Sequence, residues 1–442
     1  MYHPVATVRP WRVLAVCVLL LLGSGCGLLD VNTPDIIDPG DLDTPEGAQA
    51  KRVGAISDFA FAKEGDGAGA LTDGYVLLSG AMADEFLFSS TPPTTQEIDQ
   101  RKISENNVTL FGLYFQLHRA RSAAEAAVRA LEMAVVDPDA DTGIPELFSL
   151  AGFTYTYFGE GFCSGVPFSR VSGDSLIFGE SITTAATYDT AIARFDSALA
   201  HPAVSSDVNI ENLAHVGRAR VLLDQGLFAA AAAEVASVPT DFEYDTEHAT
   251  TPIALNNAIF ANSDGGLYSI PDAEGGSGIA WLSIDDPRVP FFDTEDVGLD
   301  GSTPQVNQLK YSDFSAPVPV ANGTEARLIE AEAQLQAGDT ASMLTILNTL
   351  RTDAGLSALT GPSTITEAED MLFNERAFWL YATGHRLGDL RRLIRQYGRS
   401  AASVFPTGPY LKGGNYGTDV NLPIPAEEFN NPNFSGCIDR NP

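Results

Sequence analysis

Residues 371–397 read MLFNERAFWLYATGHRLGDLRRLIRQY and concentrate arginines in a chain otherwise poor in basic residues. Apolar positions recur at Phe373, Ala377, Leu380, Gly384 and Leu387, and these steps of three and four predict one stripe along a helix. Just upstream, Thr364/Glu367 or Thr366/Glu369 offers a capping box. Glu375, Arg376, His385, Arg386, Asp389, Arg391 and Arg392 lie among the apolar positions rather than on a clean outer face. A charge so close to an apolar stripe is tolerable only if it is paired. The stretch is either an ion-paired brace inside a helical core or a basic binding surface.

Its surroundings are helical too. The long periodic run 108–135 places Leu113, Leu117, Ala120, Ala124, Ala127 and Leu131 on one stripe. Further helices are predicted over 45–62, 144–160 and 188–200, with an apolar run over 71–88. Residues 212–238 form a helical hairpin turning at Asp224-Gln225-Gly226, and residues 324–350 repeat that layout around Ala337-Gly338-Asp339. Small residues, a Gly turn and an apolar second helix resemble tetratricopeptide hairpins. The expected fold is mainly α, a tetratricopeptide-like helical-hairpin body. Residues 239–322 interrupt it as a large loop-rich insertion, full of Gly, Pro, Asp and aromatics, and long irregular segments of this kind usually carry function.

At 442 residues the chain can bury a large core. Its formal charge is −32, and loss of Arg9 and Arg12 with an N-terminal signal would leave 24 basic residues against 58 acidic ones, or −34. Such a surface repels nucleic acid, whose phosphates need clustered cations. Residues 1–25 have a basic start, an apolar core over 13–22 and the small residues Gly23-Ser24-Gly25 before Cys26, too short a run to span a bilayer. The pattern is similar to a bacterial lipoprotein signal, although the Leu usually found three residues before the Cys stands four before it, at Leu22. Acylation at Cys26 would attach more than one chain and anchor the protein in a bilayer. Residues 26–44, acidic and rich in Pro and Asp, then read as a tether, and 45–442 as a single domain. The mature chain keeps Cys163 and Cys437, which in an oxidising compartment form either a disulfide or two buried thiols.

Three C-terminal segments are similar, in order and spacing, to the SusD/RagB family of outer-membrane nutrient-binding lipoproteins. The first is residues 325–356, EARLIEAEAQLQAGDTASMLTILNTLRTDAGL. The second joins Glu375-Arg376, Gly384-His385-Arg386 and Asp389-Leu390-Arg391-Arg392. The third joins Leu422-Pro423-Ile424-Pro425, Glu428 and Asn431-Pro432-Asn433. The resemblance implies a helical body with four tetratricopeptide-like hairpins. It also implies a lipid-anchored protein on the outer face of the outer membrane, capping a TonB-dependent, SusC-like transporter. Such a protein holds oligosaccharide in a shallow aromatic-lined site and delivers it inward; it is not an enzyme and needs no cofactor. Within that frame Glu375, Arg376, Arg386, Asp389 and Arg391 are expected to be structural ion pairs. The rival reading is a tetratricopeptide-type scaffold for peptide or protein partners.

Sugar recognition asks for aromatic faces beside planar polar groups. The candidates are Trp281, Tyr268 and Tyr311 in the insertion, near Phe291 and Phe292, and a second cluster of Tyr75, Phe86 and Phe88 with Asp84 and Glu85. Other motifs carry less. Gly173-Asp174-Ser175-Leu176 spells the start of a serine-esterase motif, with Asp245 and His248 as nominal partners, but it lies in a polar mid-chain loop without the strand such a nucleophile needs. Asp137, Asp139 and Asp141 open like a calcium loop, yet Thr142 replaces its glycine and no Glu closes it. No histidine pair has zinc spacing, so no metal site is expected.

Overall fold

The computed structural model describes residues 44–67, 73–172 and 175–441. The expected signal 1–25, Cys26 and all of the tether except Thr44 lie outside the described residues, as do Gly173 and Asp174.

Helix α1 (Pro45–Glu64) begins where the Thr44 hydroxyl accepts from the Gly47 amide, with Pro45 in the first turn. Next come α2 (Gly74–Met82), the two-residue β1 (Leu87–Phe88) and α3 (Pro93–Asp99). Then follow α4 (Val108–Ala134) and α5 (Gly143–Gly161). The predicted α4 stripe is buried along its length. An exposed hairpin, β2 (Arg170–Ser172) and β3 (Ser175–Ile177), leads to α6 (Thr184–Ala200), α7 (Val208–Asp224) and α8 (Phe228–Val235). The helices pack in a row, α1 on α4, α4 on α5, and so on through α6 and α7 to α8.

The insertion contains β4 (Glu243–Thr246), α9 (Ala258–Asp264), β5 (Tyr268–Ser269), α10 (Trp281–Ile284), β6 (Phe291–Val297), β7 (Pro304–Gln308) and β8 (Val318–Asn322). Strands β4 and β8 pair antiparallel, Glu243 opposite Asn322, so both ends of the insertion are tied at one place. The body then resumes with α11 (Gly323–Gln336), which packs on α8, and α12 (Thr340–Asp353).

Residues 371–397 are not one helix. Helix α13 (Ile365–Trp379) is capped by Thr364, as the Thr364/Glu367 alternative predicted, and stops at Trp379. Helix α14 (Arg386–Arg395) starts after a turn in which Ala382 (φ 54°) and Gly384 (φ 84°) take left-handed backbone. The apolar stripe is real but is divided between two helices, because left-handed residues cannot continue a right-handed one. A short α15 (Ala401–Val404) precedes the C-terminal segment.

Glu375, Arg376, Arg386, Asp389 and Arg392 of these two helices are buried and paired. Arg376 meets Asp389 through two bonds of 2.9 Å, and Arg386 meets Asp84 at 2.6 and 2.8 Å. Glu375 accepts from Arg288 and from Arg351, each at 2.6 Å. Arg392 bridges Glu332 and Asp389. Burial disfavours the Asp389 carboxylate, but Arg376 and Arg392 outweigh it and hold its pKa well below the usual range. Arg391 departs from the expected ion pairs. Among the described residues it has no carboxylate ion pair, and it donates to the carbonyls of Gly159 and Glu160, satisfying the C-terminal end of α5. Burial lowers its pKa to about 10.

Cys163 and Cys437 are joined, their Cα atoms 6.0 Å apart. Around this link the C-terminal tail is laced to the end of α5: the Cys163 amide donates to Leu422, the Leu422 amide to Gly161 and the Ile438 amide to Ser164.

Candidate functional site

A cleft of about 670 Å³ opens between α1, the first turns of α5 and α7, strand β4 and the turn at 254–256. Helix α1 is two-faced. Ala48, Ala55, Phe59 and Ala62 are buried in the body, while Arg52, Val53, Ile56, Ser57, Ala60 and Phe61, one turn apart in pairs, line the cleft. Asp207 caps α7 by accepting from the amides of Asn209 and Ile210, which leaves it at the rim. Glu146, one turn into α5, is held by Arg52 at 2.6 Å and by the Tyr244 hydroxyl at 2.8 Å.

Strand β4 and its continuation supply the other wall, Glu243-Tyr244-Asp245-Thr246-Glu247-His248. Below it lies a buried charged floor. The Glu64 carboxylate accepts from Lys63 at 2.8 Å, meets His248 at 2.5 Å and accepts from the Thr246 hydroxyl. Burial alone would raise the Glu64 pKa, but Lys63 and His248 carry it below the ordinary value. Burial pushes Asp245 up to about 6, with Glu243 adding to the effect. Two acceptor atoms at this cleft have no hydrogen-bond partner among the described residues: Asp245 Oδ1 and Asn256 Oδ1, the latter on a residue only 4% exposed. Carboxylate and amide oxygens thus stand beside the apolar surfaces of Ile56, Phe61 and Leu255. This combination suits a polyhydroxylated ligand, whose hydroxyls donate while its C–H faces pack.

The five aromatics expected to bind ligand are elsewhere, and all are core. Trp281 is fully buried, its indole N–H donates to the Asp84 carbonyl at 2.6 Å, and its ring packs against Phe378 and Tyr381. Tyr268 donates to Asp73 at 2.8 Å and Tyr311 to the Ala382 carbonyl at 2.9 Å. Tyr75 stacks on Tyr157 at 4.7 Å, and Phe86 sits between Tyr268 and Tyr381. None offers a free ring face, because the insertion folds back onto α2 and the α13–α14 turn and needs these rings to fill that interface. Asp84 is taken by Arg386, and burial raises Glu85 to about 8.

Two cleft residues, Asp245 and His248, stand out in the sequence only as nominal esterase partners. The usable signal was the alternation of acidic residues at 243, 245 and 247, a strand with one charged edge. Ser175 lies in the exposed β2–β3 hairpin, while His248 is engaged with Glu64. Asp141 accepts from the Gly143 amide and Gln49, and among the described residues no three His, Cys, Asp or Glu side chains are grouped to hold a metal ion.

Residues 315–433 match the SusD family. Solved structures extend the likeness to nearly the whole chain. A surface glycan-binding protein A from Bacteroides uniformis aligns with a TM-score of 0.67 at 15% identity, over 89% of this chain and 99% of that one. The fold is SusD-like. A SusD superfamily protein from Bacteroides thetaiotaomicron aligns at TM-score 0.64 and 15% identity over 90% of this chain and 100% of the other. A SusD-like carbohydrate binding protein from Bacteroides vulgatus aligns at 0.59 and 13% over 78% and 83%. No curated protein matches the sequence. The SusD-like match covers the α11–α12 hairpin, the α13–α14 brace and the closing segment.

Proposed function

We propose that this chain is a lipid-anchored outer-membrane subunit that binds oligosaccharide in the α1–β4 cleft. It then hands the ligand to a TonB-dependent transporter of the SusC type. The observation that carries the binding role is the cleft itself, with unfilled acceptors beside apolar side chains on a SusD-like body. The names borne by two of the similar structures support a glycan as ligand. Cys26 and the segment before it support the anchor, since acylation there would hold the domain at a membrane surface through residues 26–44. We propose no cofactor and no catalytic step: the cleft groups are poised to hold, not to attack.

Calorimetric titration with a panel of oligosaccharides tests the reading. At least one glycan should bind, and Tyr244→Ala combined with Asn256→Ala should weaken it by about tenfold or more, the loss of a ring face and an acceptor. Trp281→Ala, measured at a temperature where that variant is folded, should leave affinity within about twofold, since its ring faces the core. Failure to bind any glycan together with capture of a defined peptide would transfer the chain to the scaffold reading.

A further inference from the structure

The charge on the cleft wall goes beyond general glycan binding and points to a ligand class. Five carboxylates line it: Glu146, Asp207, Glu243, Asp245 and Glu247. The cations facing them are few and already engaged. Arg52 is spent on Glu146, and Lys63 and His248 are spent on the buried Glu64. Asp207 gives its carboxylate to the amides of α7, and Glu243, Asp245 and Glu247 make no direct ion pair among the described residues, although Lys63 lies near enough to Asp245 to act on its charge. Both partnerless atoms, Asp245 Oδ1 and Asn256 Oδ1, are acceptors, and Asn256 is buried. A ligand carboxylate or sulfate has no proton to give them and would be repelled. A protonated amine carries three donors and no acceptor, and it complements both the charge and the empty hydrogen-bond positions.

We infer that the cleft selects glycans bearing protonated amino groups and rejects acidic ones. This rests on the reading of the cleft as a glycan site. Burial pushes Asp245 up to about 6, Glu243 and Glu247 add to the effect, and Lys63 offsets only part of it, as expected where negative groups outnumber the cations near them.

The test uses the full chain and three oligosaccharides of similar length: a glucosamine oligomer, its N-acetylated counterpart and an oligogalacturonate. In low salt the amino oligomer should bind roughly tenfold tighter than the acetylated one, the acid should not bind measurably, and the preference should shrink in about 0.5 M salt. Asp245→Asn with Glu247→Gln should cost the amino oligomer roughly tenfold and the acetylated one less than about twofold. Neither side chain makes a hydrogen bond among the described residues and Lys63 keeps its direct partner Glu64, so the double variant should stay folded with a melting temperature close to the parent's. If acetylated or acidic oligomers bind as tightly as the amino one, or its advantage survives in the double variant, the inference is overturned while glycan binding stands. If none of the three binds, both the inference and the glycan site fall.

Discussion

Truncating Arg386 would leave Asp84 buried with only the Ile279 amide as donor to its carboxylate. The cost of such a stranded charge is about 3–5 kcal/mol, far above that of an exposed pair. Arg386→Ala should therefore lower stability by that order in chemical denaturation. Glycan affinity, measured where the variant is folded, should stay within about twofold, because no cleft residue touches this pair. A variant that keeps its stability but loses affinity would return the arginines to a surface role. The same logic explains why a chain with so few cations places so many here: Glu375, Asp389, Asp84 and Glu332 are buried acids that need partners.

Among the elements, the break between α13 and α14 is the feature that periodicity could not locate. A helix stripe and two helices joined by a tight turn share the same spacing of apolar residues; only backbone sign separates them. Gly384 takes φ 84°, and a Cβ there would come 3.2 Å from the Tyr75 ring. Gly384→Ala should cost about 1–2 kcal/mol from the left-handed backbone and the crowding together. A stability equal to the parent by urea denaturation would mean that the turn can relax into a continuous helix. This turn also carries Ala382, whose carbonyl receives the Tyr311 hydroxyl, so it is the point where the insertion grips the body.

Across the whole molecule, the Cys163–Cys437 link closes a separation of 274 residues and holds the tail on α5, where Leu422 and Ile438 already make backbone bonds. Cys437→Ser should lower stability by about 2–5 kcal/mol, chiefly by releasing the unfolded chain, and reductant should bring the parent to the same value. A parent insensitive to reductant, with a variant of equal stability, would show that backbone lacing alone retains the tail.

The helical body was legible in the residues alone, since 3.6-residue periodicity and Gly turns act locally and put α1, α4, α5, α7 and α11 within a few residues of their observed bounds. Pairing of the charges at 375, 376, 386 and 389 was expected from the family resemblance, and burial requires it, because burial cost does not depend on which partner is found. The partners themselves were decided only in three dimensions: Arg386 meets Asp84 across 302 positions, and Arg391 found carbonyls instead of acids. The binding aromatics were misplaced for the same reason. Exposure of Trp281 or Tyr268 depends on what the insertion packs against, and pairing of β4 with β8 folds those rings inward while leaving the acidic strand edge beside α1. Local pattern sets which segments are helices, but burial is a property of pairs of distant surfaces, so the cleft came into view only when they met.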